Sequence, residues 1–281
     1  MIADAHTHIF PPEIIADRGR FFDGEPAFRM LYENPKSKMV GSEKLIESME
    51  RAGIGLSVTF GFPWHSAELC ERHNDYVMEQ ATRHPDRLVP FATLPCCSID
   101  AALSELDRCA KAGVAGFGEL SFYCAENKCD MDRWQLEVGS RAAAMGTPTL
   151  WHVTEDVGHE YPGKGGMTAG QALALAEKLC GAKMILAHWG GGLPFYELMP
   201  EVKKACTTIY YDTAASLFLY EKLIFEVASA ILGPERILFG SDYPLIDQKR
   251  CVDQVRSTAL KKEDMGLILG KNLLRILGRE S

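Results

Sequence analysis

Eight short runs of aliphatic, β-branched or aromatic residues recur along the chain, at 2–9, 54–62, 88–94, 114–120, 147–153, 183–189, 208–213 and 236–240. Each is separated from the next by a stretch long enough for a helix, with helical patterns at 66–83, 99–112, 132–144, 167–179, 194–205, 219–232 and 247–260. Parallel strands need such long crossovers, whereas antiparallel strands need only a tight turn. Eight strand–helix units therefore predict a (β/α)8 barrel, with an open doubly wound sheet as the structural alternative. Helix punctuation agrees: Ser98 with Asp100, Asp132 and Thr168 stand near expected helix starts, and Gly113, Gly146, Gly181 and Gly233 near expected stops.

A length of 281 residues suits one barrel domain spanning 1–281, closed by a C-terminal helix. The segment 11–41 reads as an insertion after the first strand, expected over the catalytic face. It carries Phe21, Phe22, Phe28 and Tyr32, with Arg18, Arg20 and Arg29 as candidates for binding an anionic substrate or as solvated surface charges. The net charge of −8, with both signs interspersed, gives no footprint for nucleic acid or an anionic membrane surface. No apolar run is long enough to span a membrane and the amino terminus lacks a signal-peptide pattern, so a cytoplasmic protein is expected. Nine cysteines (Cys70, Cys96, Cys97, Cys109, Cys124, Cys129, Cys180, Cys206 and Cys251) form no C-x-x-C pair and are expected as reduced thiols, mostly in the core.

The strongest chemical signal is Asp4-Ala5-His6-Thr7-His8 at the end of the first run. Residues two apart on a strand share a face, so His6 and His8 would present two imidazoles to one metal ion. Further ligand-type residues close other runs: Glu119, His152, His188 and Asp242. In a barrel those ends share one face, which makes a common centre the better account of all six. His65, His73, His84 and His159 lack that placement and are expected to be exposed or structural. No G-x-S-x-G or H-E-x-x-H occurs, and Gly266-x3-Gly270-Lys271-Asn272 lacks the spacing and hydroxyl of a phosphate loop.

With Trp151-His152, Ala187-His188-Trp189-Gly190-Gly191, Tyr211-Asp212-Thr213-Ala214, Phe239-Gly240-Ser241-Asp242-Tyr243-Pro244 and 270–277 in the same order, the chain resembles the amidohydrolase superfamily of metal-dependent barrels. The likeness is to the branch that includes aminocarboxymuconate semialdehyde decarboxylase, with some TatD-like character at Gly118-Glu119. The resemblance implies that His6, His8 and His152 bind metal, that Asp242 both binds it and takes a proton from its water, and that His188 is either a ligand or a free catalytic group. Glu119 either touches metal, which is favoured, or hydrogen-bonds a ligand. Lys111 and Lys128 do not occupy the place of a carbamylated bridging lysine.

One or two divalent ions, Zn²⁺ first among them, are therefore expected, acting on a small-molecule substrate. The principal expectation is a hydrolase that uses metal-activated water on an ester, lactone, amide or phosphoester. Nonoxidative decarboxylation of an unsaturated or aromatic acid is the alternative, and a noncatalytic metal-binding scaffold is disfavoured by the full ligand set. The assembly is open between a monomer and a homodimer. Gly190-Gly191-Gly192 is expected either to let substrate approach backbone N–H groups or to form a plain turn.

Overall fold

All eight expected strands form, and they pair in chain order. The computed structural model describes residues 1–121 and 128–279, without the side chains of 128–130. Its barrel strands are Ile2–His8, Ile54–Phe60, Leu88–Ala92, Gly116–Leu120, Thr149–Trp151, Met184–Leu186, Ile209–Asp212 and Ile237–Leu238. Every neighbouring pair is parallel. The first and last strands meet through Ala5 N to Phe239 O at 2.8 Å, Asp242 N to His6 O at 3.0 Å and a parallel bridge between Thr7 and Tyr243. A nearly closed (β/α)8 barrel results, as expected.

Both faces of each strand are apolar because both are covered. In the sixth strand Ile185 faces the lumen with Leu56, Val58, Val89, Phe91, Leu150 and Leu238, while Met184 and Leu186 pack outward against the helices. Leu273 and Ile276, on or beside the expected C-terminal helix (Asn272–Ile276), join the lumen cluster. This double burial is why the strands read as near-continuous apolar runs.

Ser98 caps the helix Ile99–Ala112 by accepting from Ala101 N, and Thr168 with Gln171 forms a reciprocal capping box on Ala169–Lys178. Four expectations are corrected. Asp132 lies inside the helix Lys128–Ala144 rather than at its start. The segment 194–205 splits into Leu193–Tyr196 and Pro200–Ala205, because Pro200 holds Met199 extended and starts a new helix. Similarly, 219–232 divides into Ser216–Leu219 and Ile224–Leu232, while Met167–Thr168 is a short strand paired with Val153–Thr154.

The insertion folds as Pro12–Ala16, Arg18–Phe21 and Pro26–Tyr32. Phe10, Phe28, Phe62 and Trp64 bury one another in a separate aromatic cluster, with the Phe28 and Trp64 rings 4.5 Å apart. Phe62 and Trp64 directly follow the second strand, so this packing seats the insertion beside the carboxyl ends of the barrel. Truncating a fully buried phenylalanine such as Phe28 to alanine costs about 3–5 kcal/mol, the scale of what holds the insertion in place. His73 is structural: Nε2 donates to Ile9 O at 2.7 Å, and Nδ1 accepts from Trp64 Nε1 at 2.9 Å. Burial pushes its pKa down to about 4, so it is a neutral hinge pin rather than a charge.

His65 and His159 are exposed, and His84 ends the helix Ala67–Arg83. Cys70, Cys109, Cys206 and Cys251 are buried, Cys96 is half-buried, and Cys97 and Cys180 are exposed. Cys124 and the side chain of Cys129 lie outside the described residues. Among the described residues no helix is long and apolar enough to cross a membrane.

Candidate active site

Simple alternation along the first strand would turn His6 away from the lumen, where Ala3 and Ala5 point. A register shift between Asp4 and Thr7 corrects this: a bulge spends an extra residue and re-aims the side chains that follow. Asp4 anchors it, accepting from His6 N at 3.1 Å, Ser241 N at 3.0 Å and Gln248 Nε2 at 2.8 Å. His6 and His8 then stand side by side, each against the edge or face of Phe60.

The other expected residues arrive from the fourth, fifth, sixth and eighth strand ends. His6 Nε2 lies 3.8 Å from Glu119 Oε2 and 3.7 Å from Asp242 Oδ1, and His8 Nε2 lies 3.4 Å from Asp242 Oδ1. His152 Nδ1 is 2.8 Å from Glu119 Oε1, and His188 Nε2 is 3.3 Å from the same oxygen and 3.2 Å from His152 Nδ1. All six residues thus join one cluster. Three overlapping donor sets (His6, His8, Glu119; His6, His188, Asp242; Glu119, His152, His188) each lie within 4.8 Å. His152 meets the others through Glu119 and His188, and its Nε2 bonds Gly163 O at 3.0 Å.

His188 and Asp242 both adopt the left-handed backbone region, with φ of 55° and 61°. Such a conformation costs roughly 1–3 kcal/mol and persists only where the surroundings fix it. Here the amide of His188 donates to Asp212 Oδ1 at 3.0 Å and that of Asp242 to His6 O at 3.0 Å.

Asp212 is the functional residue that sequence reasoning missed. Fully buried at the end of the seventh strand, it binds His6 Nδ1 through Oδ2 at 2.8 Å, fixing the ring so that Nε2 faces the cluster. Its strand-end position within Tyr211-Asp212-Thr213-Ala214 was the available signal.

Burial disfavours the His6 cation, yet the carboxylates of Asp212, Glu119 and Asp242 overcome that and raise its pKa to about 10. His188, also buried, is raised to about 9 by Glu119 and Asp242. Burial works the other way on Asp242, but His8, His6 and His188 bring it down to about 2; Glu119 is likewise held well below the usual range. The cluster is a strong sink for positive charge. Moreover, His6 Nε2 is buried with no hydrogen-bond partner. Such an orphan atom facing two carboxylates fits a divalent cation, for which imidazole and carboxylate are suitable donors.

Two further expectations change. Gly190 and Gly191 are packing glycines rather than a substrate approach: a Cβ on Gly191 would stand 2.5 Å from Thr154 O, and one on Gly190 2.9 Å from the Tyr211 ring. Arg18 is committed to the insertion, donating to the carbonyls of Tyr32, Asn34 and Ser37. Arg29 lies over the Phe22 ring and Arg20 is exposed.

Comparison with known proteins bears on the chemistry. A gamma-resorcylate decarboxylase from Polaromonas sp. strain JS666 is 25% identical over 238 residues, covering 70% of this chain and 72% of its own. The 2-amino-3-carboxymuconate-6-semialdehyde decarboxylase of Caenorhabditis elegans is 23% identical, covering 98% of this chain and 93% of its own. The fold matches 5-carboxyvanillate decarboxylase from Novosphingobium aromaticivorans, complexed with manganese and 4-hydroxy-3-methoxy-5-nitrobenzoic acid, with a TM-score of 0.78 at 15% identity over 99% of this chain and 96% of that one. These relatives overturn the expected hydrolase: the enzymes this chain is similar to are named for loss of CO₂, not for hydrolysis. Zinc is not singled out either, since the neighbour holds manganese. The amidohydrolase family model matches residues 3–279, and the chain belongs to the amidohydrolase family as an enzyme of that superfamily.

Proposed function

We propose that this enzyme is a metal-dependent, nonoxidative decarboxylase of an aromatic or unsaturated carboxylic acid. The observation that carries the geometric side of this reading is the placement of Asp242. Its side chain is 13% exposed, against 4% for Glu119 and 0% for Asp212, so it is the cluster carboxylate that a substrate carbon can reach.

Decarboxylation breaks the bond between the ring or vinyl carbon and the carboxylate, leaves the electron pair on that carbon and replaces CO₂ with a proton. Asp242, ionised in the resting cluster, passes to that carbon a proton that it receives from the neighbouring His188 cation. His188, with a ring nitrogen within 4.8 Å of a His6 ring nitrogen and an Asp242 carboxylate oxygen, is the neighbouring proton store that recharges it. Glu119 and Ala214 O hold the two His188 ring nitrogens, at 3.3 Å each, and so fix its orientation. A divalent ion held by His6, His8, Glu119 and Asp242, with His152 extending the set, would supply positive charge to bind and polarise the substrate's oxygens. The mixed donor set suits Mn²⁺ as well as the Zn²⁺ expected from sequence.

Two tyrosines feel the charge of Asp242. Burial, together with Asp242 and Glu119, pushes the Tyr32 hydroxyl up, and burial with Glu155 does so for Tyr161, on which Asp242 also acts. Tyr32 remains an uncharged donor suited to an anionic or hydroxylated ring, whereas the Tyr161 hydroxyl donates to Glu155 Oε2 at 2.8 Å.

The test is product analysis. Protein reconstituted with Mn²⁺ or Zn²⁺ is offered a panel of hydroxybenzoates and unsaturated acids, including 2,6-dihydroxybenzoate. Equimolar CO₂ and the decarboxylated product are expected from at least one member, and chelation should abolish both. A panel left intact by metal-replete protein contradicts the proposal.

A further inference from the structure

Outside the catalytic cluster, a cleft of about 390 Å³ opens where residues 35–40 of the insertion meet the loop that follows Asp242. Its size falls in the range that takes a small molecule. The walls are of two kinds. Pro35, Met39, Val40, Tyr243 and Pro244 give it an apolar lining. Arg18, Lys36, Lys38 and Arg51 give it four positive charges against one carboxylate, Asp247.

That carboxylate does little to neutralise them. Arg51 Nη2 is 3.6 Å from Asp247 Oδ2, with the two side chains 56% and 40% exposed, and Asp247 also caps the next helix by accepting from Arg250 N. A pair so long and so exposed is worth little. Among the described residues Lys36 and Lys38 enter no ion pair. Against an overall charge of −8, four cations converging on one apolar cleft form a local positive field.

The cleft is also mechanically joined to the catalytic cluster. Tyr243 lines it, follows Asp242 directly and accepts from His8 N through its carbonyl at 2.8 Å. Arg18 lines it too, and donates to the carbonyl of Tyr32, the residue whose hydroxyl feels Asp242.

We propose that this cleft is a second binding site for an aromatic carboxylate, separate from the metal-type cluster, which captures the anionic substrate at the rim. Lys36, Lys38 and Arg51 bind the carboxylate, Arg18 adds its charge from behind while held by the insertion's carbonyls, and Met39, Val40, Tyr243 and the two prolines take the ring. Inorganic phosphate, which has the charge without the apolar body, binds poorly. Only the choice of ligand rests on the decarboxylase proposal.

The test reads the cleft itself. Metal-replete protein carrying ¹³C-methyl methionine is titrated with benzoate, and the Met39 signal, assigned with Met39→Leu, is followed. A saturable Met39 shift with benzoate is expected, with a much smaller response to phosphate at equal concentration. The Lys38→Ala/Arg51→Ala variant should raise the apparent Kd for benzoate by about tenfold or more, with the barrel's circular dichroism retained. A silent Met39, an equal response to phosphate, or an unchanged Kd in the double variant overturns the site. A Met39 response in protein that releases no CO₂ from any acid would support the cleft and sink the decarboxylase proposal; a silent Met39 with normal CO₂ release would remove the cleft alone.

Discussion

The two halves of the catalytic cluster are built from the same residue types and are bonded very differently. On one side, His152 places its nitrogens on Glu119 and Gly163 O, and His188 spans Ala214 O and Glu119. The protein itself satisfies those imidazoles. On the other side, among the described residues His6 Nε2 has no hydrogen-bond partner, and His8 Nε2 has the carboxylate edge of Asp242 at 3.4 Å, both side chains slightly exposed, and Glu119 Oε2 no nearer than 3.9 Å. Buried polar atoms are normally paired, so this open half is where a cation gains most. On the closed half an ion would have to displace hydrogen bonds that already exist.

That contrast sets an order of sensitivities. His6→Ala/His8→Ala removes both imidazoles of the open half and should reduce bound divalent metal to near background by plasma mass spectrometry, with the barrel's circular dichroism retained. Next, Asp242→Asn keeps the shape but lacks a basic carboxylate; with metal content checked in parallel, kcat should fall by at least about 10². An Asp242→Asn enzyme with full metal and near wild-type turnover would shift the proton-transfer role to His188. Asp212→Asn removes the charge behind His6 Nδ1 without touching the open face, and metal affinity should drop about 10–100-fold, measured by competition with a chromophoric chelator. The smallest effect on metal content is expected from His152→Ala. If that variant empties the protein as thoroughly as the loss of His6 and His8, the distinction between the halves is lost.

Much of the barrel was legible because its strands are apolar on both faces and its crossovers are helix-length, signals that survive in a one-dimensional pattern. Helix breaks were less legible. Pro200 marked one in plain view, whereas the break between Ser216–Leu219 and Ile224–Leu232 has no such marker. His6, His8, Glu119, His152, His188 and Asp242 could be gathered from strand-end position alone. Asp212 could not be weighed in that way, since its value lies in a contact with His6 across 206 residues of sequence. The bulge between Asp4 and Thr7 was equally hidden: the alternation rule put His6 and His8 together for a regular strand, and the real strand reaches that result through an irregularity. Hydrolysis and decarboxylation were not separable either, because one metal-type donor set serves both, and the relatives rather than the ligands decided between them.

Anomalous diffraction at the manganese edge, on crystals of protein loaded with Mn²⁺, tests the central claim most directly. The account predicts a peak bounded by His6 Nε2, His8 Nε2 and Asp242 Oδ1, with Glu119 on its inner side. A peak confined to the space between His152 and His188, or none at all in protein that retains its metal by mass spectrometry, would contradict it.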